Sequence, residues 1–169
     1  MPMKRPSSPM LHAAPARREL VPLAVVADHV AREYLAGAEL RSVRLKLRLR
    51  STPLVLGDTA ALFRVLANLL ENAIASAPPA TTVLVEIDSA GPRATIDILD
   101  EGPGVPLELR QVVFQPFYTT TADAGGLGLT VARSIVHSHG GQIGFVDCGY
   151  GHVRVELPCA ISPVAERLN

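Results

Sequence analysis

Residues 42–50 read SVRLKLRLR, an uninterrupted two-residue alternation. Val43, Leu45, Leu47 and Leu49 share one face, and Arg44, Lys46, Arg48 and Arg50 share the other. Only an extended strand sorts side chains with a period of two. The segment is therefore read as a half-buried strand, apolar toward a core and basic toward solvent. Long cations suit a solvated face or a sheet edge, where they discourage edge-to-edge pairing. A sheet with one wet face needs its other face covered, and the rest of the chain supplies the cover.

Residues 57–79, GDTAALFRVLANLLENAIASAPP, carry a period of 3.6 instead. Leu62, Val65, Leu66, Leu69, Leu70, Ala73 and Ile74 line one helical face. Asp58 is the expected N-cap, and the helix should stop before Pro78. Residues 19–38 read as an earlier helix with Gly37 near its end. TTVLVEIDS and RATIDILD read as two strands joined at Gly91-Pro92. EGPGVP is a loop, 107–115 a short helix, and 128–138 a third long helix. Residues 142–158 should close as a hairpin around Gly149-Tyr150-Gly151. Hairpins with helices between them predict a two-layer α/β sandwich: one mixed sheet with helices over one face. The domain is expected to span 19–160. Residues 1–18, rich in Pro, Ser and Arg, read as a flexible arm or linker, and 161–169 as a tail.

Composition narrows the function classes. At 169 residues and 48% apolar, the chain can bury a core without metals or disulfides. Zero formal net charge argues against a general nucleic-acid or membrane-surface binder. The two cysteines, Cys148 and Cys159, form neither a CxxC nor a His/Cys cluster, and read as reduced thiols of a cytoplasmic protein. No apolar run approaches the ~18 residues of a membrane span, and the N-terminus has no continuous apolar h-region.

Four groups carry chemistry. Asn68 and Asn72 stand one turn apart on one helix face, where Asn is a poor helix former. Two amide oxygens there are suited to a hard cation such as Mg²⁺, although a solvated stripe would look the same. Asp100 ends an apolar strand and is followed by Gly102 and Gly104. A carboxylate at that place can accept a hydrogen bond from an exocyclic amine, and glycines let a flat ring approach the backbone. GGLGL precedes the third helix, and glycine-rich backbone at a helix N-terminus is an anion cradle. Phe114 and Phe117, in FQPFYTT, either anchor a lid or belong to the core.

Taken in order, NLLENA, DEGPGVP, FQPFYTT and GGLGLTVARSIVHSHGG resemble the N, G1, F and G2 boxes of the catalytic ATP-binding domain of sensor histidine kinases. That is the Bergerat-type fold shared with gyrase, Hsp90 and MutL. The last two boxes look most like kinases of the nitrogen-regulation and oxygen-sensor type. The resemblance covers about residues 20–160. It implies ATP and Mg²⁺ as cofactors. It implies Asn72 as the Mg²⁺ ligand, with Asn68 one turn earlier, and Glu71 as an assisting acid or base. It implies Asp100 on the adenine amine, with Gly102 and Gly104 under the ring. Thr119, Thr120, Gly126, Leu127, Gly128 and Leu129 are implied to line the nucleotide, beneath a lid over about 115–127.

Departures from the pattern are specific. Many relatives carry Lys or Arg where this chain has Ala75, and similar kinases often have Lys at Thr121 and Gly at Ala124. Arg64 or Arg133 is the available replacement cation. None of the five histidines, His12, His29, His137, His139 and His152, lies in the pattern of a phosphoacceptor. The resemblance therefore implies a catalytic domain that phosphorylates a histidine on a separate dimerisation domain, with a response regulator downstream and no nucleic acid. It also implies a cytoplasmic location, as an excised or stand-alone domain, or the cytoplasmic part of a membrane-bound sensor. The alternatives are an ATP-dependent anti-sigma or serine-kinase regulator, and a nucleotide-binding module without turnover.

Overall fold

The computed structural model describes residues 18–118 and 126–160. The expected N-terminal arm, the C-terminal tail and the central part of the lid lie outside the described residues, apart from Arg18. The elements are β1 (Glu19–Pro22), α1 (Leu23–Leu40), β2 (Arg44–Leu49), β3 (Leu54–Gly57), α2 (Thr59–Ser76), β4 (Thr82–Ala90), β5 (Arg93–Asp100), two 3₁₀ turns (Leu107–Leu109 and Val112–Phe114), α3 (Gly128–Ser138), β6 (Gln142–Phe145) and β7 (Gly151–Pro158).

Five strands form one mixed sheet in the order β2-β4-β5-β7-β6, with β2 and β4 parallel and the remaining pairs antiparallel. The alternating segment is an edge strand, as its basic face required. One sheet face carries Val83, Val85, Ile87, Ala94, Ile96, Ile98, Val155 and Leu157, all buried. Against it lie the apolar stripes of α1, α2 and α3, which contribute Val26, Val30, Leu62, Leu66, Leu70, Ala132 and Val136. Each fully buried Leu, Ile or Val contributes about 1.5–3 kcal/mol of transfer free energy, so this seam dominates stability. The two-layer sandwich expected from the sequence is the fold observed.

Two expectations are corrected. Residues 19–22 are strand, not the start of a helix. They pair antiparallel with β3, Val21 opposite Val55, and make a second two-stranded sheet beside the main one. Val21 and Val55 are buried by that pairing, which outweighs the helical reading of a segment containing Pro22. The helix runs through the exposed Gly37 to Leu40. The single short helix expected at 107–115 is two separate 3₁₀ turns.

The start of α2 is fastened twice. Asp58 caps it, Oδ1 accepting the Ala61 N–H at 2.8 Å. The Asp58 N–H in turn donates to His139 Nε2 at 3.0 Å, while His139 Nδ1 lies 2.7 Å from the Ile135 carbonyl at the end of α3. Gly57 leaves room for that imidazole, since a Cβ there would come within 2.5 Å of the ring. His139 is thus a structural clamp between α2 and α3.

Candidate nucleotide site

The end of β5 delivers Asp100 to the site. Asp100 is buried, 8% exposed, and stands opposite Gly151 of β7. Its Oδ1 accepts the Gly102 N–H at 2.8 Å. Burial pushes the carboxyl above its ordinary value, and the Gly102 hydrogen bond opposes that shift. A buried carboxylate held by one N–H, with its remaining lone pairs unspent among the described residues, is primed to accept from a ligand donor.

Three glycines close around it. A Cβ on Gly102 would sit 2.6 Å from Asp100 Oδ1 and 2.7 Å from the Ser76 carbonyl at the end of α2. A Cβ on Gly151 would overlap the Asp100 carboxylate itself. Gly104 has φ +68° and packs on the Tyr150 carbonyl. Gly102 and Gly104 were legible in the sequence, whereas Gly151 was read only as part of a turn. Its signal lay in strand register, because pairing β5 with β7 puts Gly151 directly across from Asp100. Arg110 braces the loop, donating through Nε to the Val105 carbonyl and through a terminal nitrogen to Asp147, each at 3.0 Å.

Two concavities border this loop on its outer side. One, about 430 Å³, touches Asp100 together with Thr82, Leu84, Leu99, Glu101 and Tyr150. The other, about 260 Å³, lies between the 103–107 loop and the β6–β7 hairpin. Neither reaches Asn68, Asn72 or Gly128; among the described residues Asn72 is exposed, and Asn68 and Gly128 are half-buried.

That face belongs to α2. The Asn68 amide donates to the Gly128 carbonyl at 3.0 Å, which ties α2 to the start of α3 and leaves its own oxygen free to accept. Asn72, one turn on, is exposed, and its side chain makes no hydrogen bond among the described residues. Glu71 is exposed, and its charge helps hold the Tyr34 hydroxyl of α1 above its ordinary value, after the larger effect of burial. No cluster of three or more His, Cys, Asp or Glu suited to a metal occurs among the described residues. A hard cation held here would rest on amide oxygens, water and ligand phosphates, which is the donor set Mg²⁺ accepts.

The N-terminus of α3 faces Asn68. Leu127 gives it no side-chain cap, so among the described residues no side chain caps the first-turn N–H groups, the kind of group an anion accepts from. Gly126 has φ +63°, and its carbonyl accepts the Phe117 N–H at 3.0 Å. A Cβ on Gly126 would sit 2.7 Å from the Phe117 carbonyl carbon. This close backbone clamp joins the two ends of the expected lid. Thr119 and Thr120 lie outside the described residues, and Leu127 and Leu129 occupy the first turn and its entrance.

The two phenylalanines separate. Phe114 is buried, with its ring 5.5 Å from that of Phe145 and the Arg133 guanidinium 5.6 Å from its centroid. Phe117 is 77% exposed with φ +66°, so neither of its expected roles, hydrophobic anchor or core residue, is seen. Its backbone does the pinning. Arg133 is spent on Phe114, and Arg64 is exposed on α2. His29 stacks edge-on against Phe63 and His137 is exposed in the last turn of α3.

Comparison with known proteins agrees with this geometry. The family model described as histidine kinase-, DNA gyrase B-, and HSP90-like ATPase matches residues 57–161, more than half of the chain. The sensor protein IrlS of Burkholderia pseudomallei is 35% identical over 127 residues, which cover 72% of this chain and 27% of that protein. The sensor histidine kinase GtrS of Pseudomonas aeruginosa is 33% identical over 142 residues, 82% of this chain and 28% of that protein. The chain thus spans little more than a quarter of the length of these relatives. Among solved structures, the mycobacterial sensor histidine kinase MprB superposes with TM-score 0.76 at 26% identity, covering 85% of this chain and 98% of that one. Full-length ShkA in complex with AMPPNP superposes with TM-score 0.77 at 28% identity, covering 89% and 33%. With the four boxes, the sandwich and the buried carboxylate in place, the chain belongs to the histidine kinase-, DNA gyrase B-, and HSP90-like ATPase family.

Proposed function

We propose that residues 19–160 are the catalytic ATP-binding domain of a two-component sensor histidine kinase, passing the ATP γ-phosphoryl group to a histidine on a separate dimerisation domain. The observation that carries this reading is the buried Asp100, enclosed by Gly102 and Gly151, at one end of a site whose other end is an uncapped helix N-terminus. The sensor-kinase relatives and the AMPPNP complex of ShkA support it. A nucleotide would set its adenine amine on Asp100 and its ring over the loop at Gly102 and Gly104. Its phosphates would lie toward Gly126 and Gly128 and the first turn of α3, with Leu127 and Leu129 beside them and Thr119 and Thr120 in the covering segment.

Asn72, and Asn68 through its free oxygen, are the residues that would hold Mg²⁺, whose charge offsets that of the phosphates. The rest of the transfer is positioning and electrostatics. Asn68 keeps the helix N-terminus aimed at the phosphates through its bond to Gly128. Glu71 is assigned the assisting acid or base toward the incoming histidine, and Glu71→Gln should then lower transfer without weakening ADP binding. As parts of a sensor kinase the residues act in the cytoplasm, with a response regulator downstream. Among the described residues no helix is long and apolar enough to cross a membrane.

The test is to incubate the chain with labelled ATP, Mg²⁺ and a separately supplied phosphoacceptor hairpin. Acid-labile, base-stable label on the hairpin, and none on the chain alone, is expected. Tight nucleotide binding without transfer would instead favour a module without turnover, a reading consistent with Ala75 and with Arg133 being held by Phe114.

A further inference from the structure

The sheet face away from the helices holds a second cluster of reactive side chains. Asp97 of β5 is buried, 5% exposed, although it lies on the polar face. Its Oδ1 lies 2.6 Å from His152 Nε2 and accepts the Arg154 Nε–H at 2.7 Å. In the tautomer whose Nε2–H donates to Asp97, His152 presents Nδ1 as an acceptor. The His152 side chain is only 10% exposed, and among the described residues its Nδ1 has the Cys148 thiol as its polar neighbour, with the sulfur 3.8 Å away. Cys148 is half-buried and also lies near the carbonyls of Val146 and Tyr150. The 260 Å³ concavity beside it is lined by His152, Arg110, Phe145 and Tyr150. A nucleophile, a base and a carboxylate that orients the base thus lie in series, and the base, together with Asp147 and Gly149 on either side of Cys148, lines the cavity.

We infer that Cys148, His152 and Asp97 form a reactive-thiol site that takes small disulfides, and that the resulting adduct loosens the nucleotide site. In the step, the Cys148 S–H proton passes to His152 Nδ1. The thiolate attacks one sulfur of the disulfide, a Cys148 S–S bond forms, and the original S–S bond breaks. The departing thiolate takes the proton back from His152. Cys148 is oxidised and half of the disulfide is reduced, so no further reactant is needed.

The coupling follows from the hairpin that carries the cysteine. Three residues after Cys148, Gly151 is pressed against the Asp100 carboxylate, and Tyr150 places its carbonyl against Gly104. A group bonded to the half-buried Cys148 sulfur that shifts the hairpin shifts both contacts with it. This part rests on the nucleotide reading above, whereas the chemistry at Cys148 does not.

Cys159 is the internal control. Burial raises its thiol above the ordinary value, and its sulfur makes no hydrogen bond among the described residues. The chain is treated with oxidised glutathione from pH 5 to 9, and adducts on each cysteine are followed by mass spectrometry. A free thiol is only a few per cent ionised at neutral pH. Cys148 should therefore react at least about tenfold faster than Cys159 at pH 7. Its pH profile should be flatter than that of a free thiol. Among the described residues, the charged and titratable groups around His152 are Asp97 of β5, Arg154 of β7, Cys148, Asp147 and Tyr150 of the hairpin, and Arg110 across the cavity. In His152→Gln, whose amide still donates to Asp97, the Cys148 rate should fall to that of Cys159 and then climb with pH. Equal rates at the two cysteines of the parent overturn the site without reference to any variant, and so does an unchanged rate in a folded His152→Gln.

ADP titration then reads the coupling. The adduct should bind ADP about tenfold more weakly, and Cys148→Ser treated identically should bind as before. Equal ADP affinity for adduct and parent overturns the coupling and leaves the thiol site standing. No ADP binding by the untreated parent overturns the nucleotide reading and the coupling that rests on it, but not the thiol chemistry.

Discussion

At Asp100 the neighbouring space is already occupied. Gly102, Gly151 and the Ser76 carbonyl leave no room for a methyl group, and the carboxyl carries the cost of burial before any ligand arrives. At Asn72 and Gly128 the opposite holds. Asn72 is exposed without a partner among the described residues, α3 has no side-chain cap, and a Cβ on Gly128 would meet only Asn68 atoms at ordinary contact distances of 3.7 Å or more. On the nucleotide reading proposed above, the closely packed end takes a flat ring. The other consists of polar groups left unpaired until charge arrives. Selectivity is expected from the first end, and metal-dependent affinity from the second.

The contrast can be broken by adding one methyl group at each end. Gly151→Ala forces a side chain into the Asp100 carboxylate and should cost about 3 kcal/mol of folding stability, together with loss of ADP binding. Chemical denaturation and calorimetry would measure both. A variant as stable as the parent would show that the Asp100 pocket is not closely packed.

Asp100→Asn sharpens the comparison chemically. It should weaken ADP binding by about 1.5–3 kcal/mol, the worth of a charge-assisted hydrogen bond, and erase the preference over GDP. Unchanged ADP affinity would remove Asp100 from the recognition of adenine. The unliganded protein should respond in the other direction. Because burial raises the Asp100 carboxyl above 3.8, the contribution of its neutral form is complete below that value and is lost as pH rises through the raised one. The neutral amide escapes this loss, so the unliganded variant should be at least as stable as the parent at pH 7. Its margin over the parent should shrink as the pH falls toward 3.8. Melting curves at several pH values would show it, and a margin that grew on acidification would contradict the burial argument.

At the open end, Asn72→Ala should leave stability nearly unchanged, because the side chain is exposed and Ala is the better helix former. It should weaken Mg·ATP far more than metal-free nucleotide. Equal losses with and without Mg²⁺ would argue against a ligand role. The smallest effect is expected for Gly128→Ala, a methyl group placed where there is space at the first position of α3. Folding stability should stay the same or rise by up to about 1 kcal/mol. A clear loss in a denaturation curve would mean that the phosphate end is as closely packed as the adenine end.

The sequence and the fold agree most closely where a periodic or capping signal was strong. The alternation at 43–50 became an edge strand with its basic face outward, where Arg48 and Arg50 meet Glu86 of the neighbouring β4. The periodic run after Asp58 became α2 with that residue as its cap. Asp100, Gly102 and Gly104 stood adjacent in sequence and remain adjacent in the site. What escaped was set by pairing across long stretches of chain. β1 and β3 are four residues each, too short for a period to show, and only their mutual burial makes them strands. Phe117 carried the same local signal as Phe114, yet one ring is buried and the other exposed.

By itself, then, the sequence determined which faces must be covered, where α2 begins and which boxes hold the polar groups, because these follow from backbone geometry over a few residues. Tertiary structure alone decided that Gly151 would lie against Asp100, that His139 would fasten α2 to α3, and that His152 would reach Asp97 from one side and Cys148 from the other. Those contacts join residues up to 81 positions apart. Their geometry depends on register and packing order, which no local pattern encodes.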